Sequence, residues 1–210
     1  MNSSISRRLL EWHKANQMDY SFRHTNDPYK ILVCEMLLRQ TTGEQVASVY
    51  HQFFDRFPSV LDLASARPAY VLEAIRPLGM HRRANDLIQV SKSVVERFDG
   101  MIPSSFEDLT ALRGVGRYIA NCVLAFAYGK KRPLVDTNAE RVLCRVLGMQ
   151  PGQGAPKEEV WSAYTRVAPT KNIKRFHYAL IDFSHMVCRP QKPKCDICPL
   201  SNSCKTLKRK

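Results

Sequence analysis

The sequence predicts an all-α fold, and three observations predict it. Apolar residues recur three and four apart along most of the chain, no stretch alternates persistently enough to demand a strand, and several periodic stretches open on a cap residue or a proline. With 210 residues, 44% of them hydrophobic, there is material for one large domain or two small ones with real cores.

The elements follow in order. A helix over 29–40 is opened by Asn26-Asp27-Pro28, where an acidic cap precedes a proline that suits the first helical position. Further helical periodicity covers 43–55, 58–65, 68–76 and 82–97. Pro103-Ser104-Ser105 opens a helix over 105–112, and Gly114-Val115-Gly116 separates it from another over 117–127. A Gly/Pro-containing connector at 129–135 is a candidate domain boundary; Asp136 or Thr137 then caps a helix over 138–147. A second connector, 150–156, leads to helices over 157–167 and 173–186. No internal repeat or low-complexity tract interrupts them.

Charge narrows the partner. Lys and Arg number 32 against 19 Asp and Glu, a net charge of +13, which favours a polyanion and makes nucleic acid the first candidate. No apolar run approaches the roughly 20 residues needed to span a bilayer, and the start lacks a signal peptide's apolar region. A cytoplasmic, nucleoid-associated protein without a membrane partner is expected. In that compartment seven cysteines argue against a disulfide framework. Cys34, Cys122 and Cys144 sit in apolar segments and read as small core residues.

The other four, Cys188, Cys195, Cys198 and Cys204, stand as C-x6-C-x2-C-x5-C. Four thiolates at short spacing hold either a tetrahedral zinc or an iron–sulfur cluster, and a structural zinc usually draws on two close pairs where this loop has one. Lys192 and Lys194 decorate the loop and are candidates to meet phosphates. Upstream, the two glycines of Gly114-Val115-Gly116 permit a tight turn leading into a helix N-terminus, which together suit a phosphate, with Arg113 and Arg117 beside it. Asp136, at the mouth of its helix, is either a helix cap or a carboxylate available to chemistry. Glu35 lies in ILVCEMLL, where burial would favour its neutral form.

These motifs, in this order, resemble the helix-hairpin-helix-Gly-Pro-Asp superfamily of DNA glycosylases: the cysteine spacing resembles the endonuclease III cluster loop, LRGVGR resembles the hairpin, and Gly129, Pro133 and Asp136 follow it. The likeness runs from about residue 21 to residue 204. It is strongest to the thymine/uracil mismatch branch, in LLRxTT, GVGxY and AYGKK. It departs at Arg113, where the family usually has proline.

The resemblance implies a two-lobed, endonuclease III-like fold. A six-helix domain spans 21–129, and the second lobe is formed by 1–20 with 130–210, carrying a [4Fe–4S] cluster on loop 188–204. It implies that Asp136 is catalytic and stabilises the sugar cation left when a base departs. Glu35 and Tyr118 would line the base pocket, with Tyr178 a further candidate. Tyr118 stands where bifunctional members carry a lysine, so hydrolysis without strand scission is expected. Arg39 and Gln40, at the end of their helix, are candidates to wedge into the duplex or contact the orphaned base. The expected partner is double-stranded DNA with a mismatched or damaged base, bound by a monomer that releases thymine or uracil opposite guanine. Adenine release, a bifunctional lyase and a non-catalytic DNA-binding protein are the alternatives.

Overall fold

A computed structural model of the chain describes residues 2–79, 82–153 and 156–209, and among these every regular element is helical. The α-helices are α1 (Asn2–His13), α2 (Pro28–Leu37), α3 (Gly43–Arg56), α4 (Val60–Ser65), α5 (Pro68–Ala74), α6 (Arg82–Phe98), α7 (Phe106–Thr110), α8 (Arg117–Phe126), α9 (Thr137–Leu147), α10 (Glu158–Val167) and α11 (Ile173–Met186). Their starts are local chemistry. Asp27 accepts the Tyr29 and Lys30 amides at 2.8 and 3.3 Å, Ser105 accepts that of Asp108 at 3.0 Å, and Thr42 with Gln45 and Ser59 with Asp62 form reciprocal capping boxes. Among the described residues no helix is long and apolar enough to cross a membrane.

The contacts divide the chain into two compact units, Asp19–Lys130 and Met1–Met18 with Lys131–Lys210. In the first, α2 is buried on nearly every side from Tyr29 to Leu37 and packs against α8, itself buried from Ile119 to Phe126. Phe53, Phe54 and Phe57 add an aromatic cluster whose rings meet 5.2 Å apart. The Tyr29 hydroxyl donates to the Phe57 carbonyl at 2.9 Å, and burial pushes its pKa well above the ordinary tyrosine value.

In the second unit, α1 and α9 pack on α11, and α10 on α9 and α1. His13 Nε2 lies 3.0 Å from Asp182 Oδ2, which also accepts the Met18 amide at 3.0 Å. His13 and Asp182 are 4% and 0% exposed, so the end of α1 and the segment after it hang on one buried carboxylate. Cys34, Cys122 and Cys144 are core residues, as their apolar surroundings predict.

Three differences from the sequence reading have physical causes. The helix expected over 29–40 stops at Leu37: Arg83 donates to the Leu37 and Arg39 carbonyls, Thr41 Oγ1 also donates to Leu37, and Gln40 takes φ 60°. Arg39 and Gln40 thus occupy a turn rather than a helix end. The helix expected over 105–112 keeps only Phe106–Thr110, because Ala111 caps it and the Val115 amide turns back to the Leu112 carbonyl at 3.1 Å. Helix α1 has no counterpart in the periodicity reading, which began at residue 29, because its buried apolar stripe is short, Ile5 and Leu9 in an otherwise polar segment.

Candidate active site and cluster loop

Asp136 is the N-cap of α9, and both its oxygens are engaged. Oδ1 accepts the Ala139 amide at 2.7 Å and Oδ2 accepts the Asn138 side-chain amide at 2.9 Å. The carboxylate is only half-buried, on a segment anchored by Leu134 and Val135, which are 0% and 2% exposed. Each carboxylate oxygen has two lone pairs, so one interaction on each leaves capacity for a second group. The cap and a chemical role are therefore compatible at one side chain.

Asn138 is held in turn. Arg141 Nη1 donates to Asn138 Oδ1 at 3.0 Å, while Nε and Nη2 donate to the Cys188 and Ser184 carbonyls at 3.2 and 3.1 Å. One turn on, Arg145 donates to the Arg189 and Pro190 carbonyls at 2.6 and 2.8 Å, with Nη1 3.6 Å from Cys188 Sγ. The α9 carbonyls of Arg145 and Val146 accept the Thr206 and Lys205 amides at 3.1 and 3.0 Å. Burial pulls the Arg141 guanidinium below its usual value, partly offset by Cys188 and Asp136. A continuous chain of hydrogen bonds thus joins Asp136, Asn138, Arg141 and the backbone of Cys188.

The cysteine loop fits a cluster. All four of Cys188, Cys195, Cys198 and Cys204 line one cavity of about 220 Å³, closed on the protein side by Val146, Phe183 and Val187. Their thiols are free, and among the described residues no three His, Cys, Asp or Glu side chains converge as they would on a single ion. Four sulfurs spread around a cavity suit a wider, thiolate-held group. Lys192 and Lys194 are exposed on this loop, and Lys192 takes φ 48°. Tyr178 is half-buried on α11, its ring tilted against His177.

The unit Asp19–Lys130 carries the other candidates. Glu35 sits in the last turn of α2, 7% exposed; burial, and after it the neighbouring Glu35, pushes the Cys34 thiol well above its ordinary pKa. Tyr118 lies half-buried in the first turn of α8, the helix on which α2 packs. In the hairpin, Arg113, Gly114, Gly116 and Arg117 are exposed, whereas the Val115 side chain is buried. Gly114 needs its φ of 81°, and a Cβ there would stand 3.6 Å from Met36 Cε and 3.9 Å from Arg39 Nη1. The hairpin turn and the exposed Arg39–Gln40 turn are therefore neighbours. Asp136 and Tyr178 belong to one unit, Glu35 and Tyr118 to the other.

Residues 33–166 match the model of the HhH-GPD superfamily base excision DNA repair proteins. The chain belongs to this superfamily. Residues 188–204 match the iron-sulfur binding domain of endonuclease III, so this HhH-GPD protein has an iron–sulfur cofactor, and four thiolates are the complement of a [4Fe–4S] cluster. It is similar to the thymine-DNA glycosylase of Aeropyrum pernix, at 42% identity over 96% of this chain and 93% of that protein. A solved thermostable thymine-DNA glycosylase superposes with a TM-score of 0.92 at 29% identity, covering 100% of this chain and 97% of the other. Endonuclease III in a non-covalent DNA complex gives a TM-score of 0.82 at 25% identity, with 100% and 97% coverage. The HhH-GPD chain is a DNA glycosylase, and its partner is DNA.

Sequence reasoning passed over four side chains of this HhH-GPD protein: Asn138, Arg141, Arg145 and Arg83. The first three had a readable signal, since spacings of three and four place them along one stripe of the helix that Asp136 caps. Arg83 had one too: it occupies the buried stripe of α6 that continues through Leu87, Val90 and Val94.

Proposed function

We propose that this glycosylase hydrolyses the N-glycosidic bond of thymine or uracil mispaired with guanine in double-stranded DNA, as a monomer and without cutting the strand. The observation that carries the chemistry is the Asp136 carboxylate, half-exposed at a helix mouth and fixed at both oxygens. Departure of the base leaves an oxocarbenium-like sugar, which a fixed carboxylate stabilises while it orients the attacking water. Fixing costs nothing at the moment of reaction, because Ala139 and Asn138 have already oriented the group.

The substrate reading is supported by the similarity to thymine-DNA glycosylases over nearly the full length of both chains. Mismatched bases cost less to extrude than paired ones, and N1 of thymine or uracil leaves as a stabilised anion. Glu35 then serves as a hydrogen-bond partner for the extruded base, not as an obligatory acid. Tyr118 offers a hydroxyl or a wall where a lysine would attack the sugar, so no covalent adduct forms. Arg113 and Arg117, with the Gly114–Gly116 backbone, receive phosphates at the hairpin, as do Lys192 and Lys194 on the cluster loop. When bound, the cluster on Cys188, Cys195, Cys198 and Cys204 supplies cross-links to a tail with little core of its own.

A single-turnover panel tests this reading. G·T and G·U duplexes should yield abasic sites that break only after alkali, with no borohydride-trapped adduct. Adenine release without release from G·T or G·U would overturn the substrate, and a trapped adduct would overturn the monofunctional chemistry.

A further inference from the structure

We infer that Arg83 is a positioning residue for base extrusion: from α6 it holds the turn at Leu38–Thr42 in the shape that presents Arg39 and Gln40 to the duplex. The inference rests on the proposed DNA glycosylase reading together with the expectation, from the family resemblance, that Arg39 and Gln40 meet the duplex.

A helix end leaves its last carbonyls without intrahelical partners. At the end of α2 the partner is a guanidinium from α6: Arg83 Nη1 donates to the Leu37 carbonyl at 2.7 Å and Nη2 to the Arg39 carbonyl. Arg83 is 5% exposed, so these charge-assisted bonds form where water cannot compete well. They span 46 and 44 residues of sequence, tying the turn to the helical core below it rather than to its own neighbours.

The turn needs such a tie. Gln40 takes φ 60°, a left-handed conformation that a side chain other than glycine adopts at some cost. Apart from Arg83, the hydrogen bonds seen at its flanks among the described residues are short-range, the Leu38 amide to the Cys34 carbonyl at 2.8 Å and Thr41 to the Leu37 and Leu38 carbonyls. Above the anchored backbone, Arg39 and Gln40 are exposed, and the Arg39 guanidinium lies against Gly114 of the hairpin. Arg83 thus fixes the backbone of two side chains that adjoin the phosphate-binding turn, without touching DNA itself.

Arginine suits this place and lysine does not, since one planar fork reaches two carbonyls whereas one ammonium on a flexible stem holds a single geometry poorly. The geometry predicts a graded series. A G·T duplex carrying 2-aminopurine beside the mismatched thymine reports extrusion by its fluorescence, recorded with duplex affinity and thermal melting. Arg83→Met should slow extrusion about tenfold, as misplacement of a contact residue does, and Arg83→Lys roughly threefold. Should the Met variant fail to fold, the Lys variant carries the test.

The decisive arm is the background. In Arg39→Ala/Gln40→Ala protein, which should itself extrude slowly, adding the Arg83 substitution should change the rate by no more than about twofold, because the residue acts through that turn. A merely structural arginine would lower extrusion equally in both backgrounds, which would overturn the inference, as would wild-type extrusion by a folded Arg83→Met or Arg83→Lys. If Arg39→Ala/Gln40→Ala extrudes the base normally, the reading of the turn fails first and takes the inference with it.

Discussion

Asp136 and Glu35 are both carboxylates, each in its own unit of the chain, and they differ in exposure and in their place on a helix. Asp136 caps a helix, half-exposed, with one hydrogen bond on each oxygen and a relay through Asn138 and Arg141 to the cysteine loop. Glu35 lies in the last turn of α2, 7% exposed, on a helix buried on nearly every side from Tyr29 to Leu37. A carboxylate fixed by hydrogen bonds keeps capacity for charge, which suits stabilising a cation.

The comparison breaks first at Asp136. Asp136→Asn should keep affinity for a G·T duplex and lose at least about two orders of magnitude in single-turnover rate, because the charge that stabilises the sugar disappears. Cleavage at the wild-type rate would reduce Asp136 to a cap. Next is the relay: Arg141→Met strands the Asn138, Cys188 and Ser184 acceptors, each costing about 1–3 kcal/mol if left unpaired. A melting point lowered by several degrees and a rate reduced about tenfold are expected. Iron content measured on the same preparation separates the causes, since loss of activity with iron retained points to the carboxylate. The smallest effect belongs to Glu35→Gln. The amide keeps an acceptor oxygen, so thymine release should stay within about tenfold of wild type. Complete loss of thymine release would show that the Glu35 carboxyl itself is required and not merely an acceptor oxygen.

Much of the fold was legible because helix starts are written locally. Asp27 and Ser105 stand in the start signals read from the sequence, Asp136 was one of two cap candidates with Thr137, and all three accept amides at their helix starts. Where partners are distant, the sequence was silent. The arrest of α2 at Leu37 involves a guanidinium 46 residues away, and the end of α1 meets a carboxylate 169 residues away. The same divide runs through the candidate site. The cysteine spacing and the Gly-Val-Gly turn are local patterns. The Asn138 to Arg141 link was partly readable as a helix stripe, but its continuation to the Cys188 and Ser184 carbonyls depends on how the tail folds back, which no periodicity encodes.

The His13–Asp182 pair also has a consequence for synthesis. The unit Asp19–Lys130 is one unbroken run, so a growing chain can assemble it as soon as that run has left the ribosome. The other unit cannot form so early: α1 is made first, yet its buried partner on α11 arrives 169 residues later, and the last cluster ligand, Cys204, later still. Helix α9, with Asp136 at its mouth, waits on the same late residues through Arg141, Arg145 and Thr206. The link from Asn138 through Arg141 to the Cys188 and Ser184 carbonyls is therefore completed only when translation is nearly complete, although the cap bonds of Asp136 itself are local.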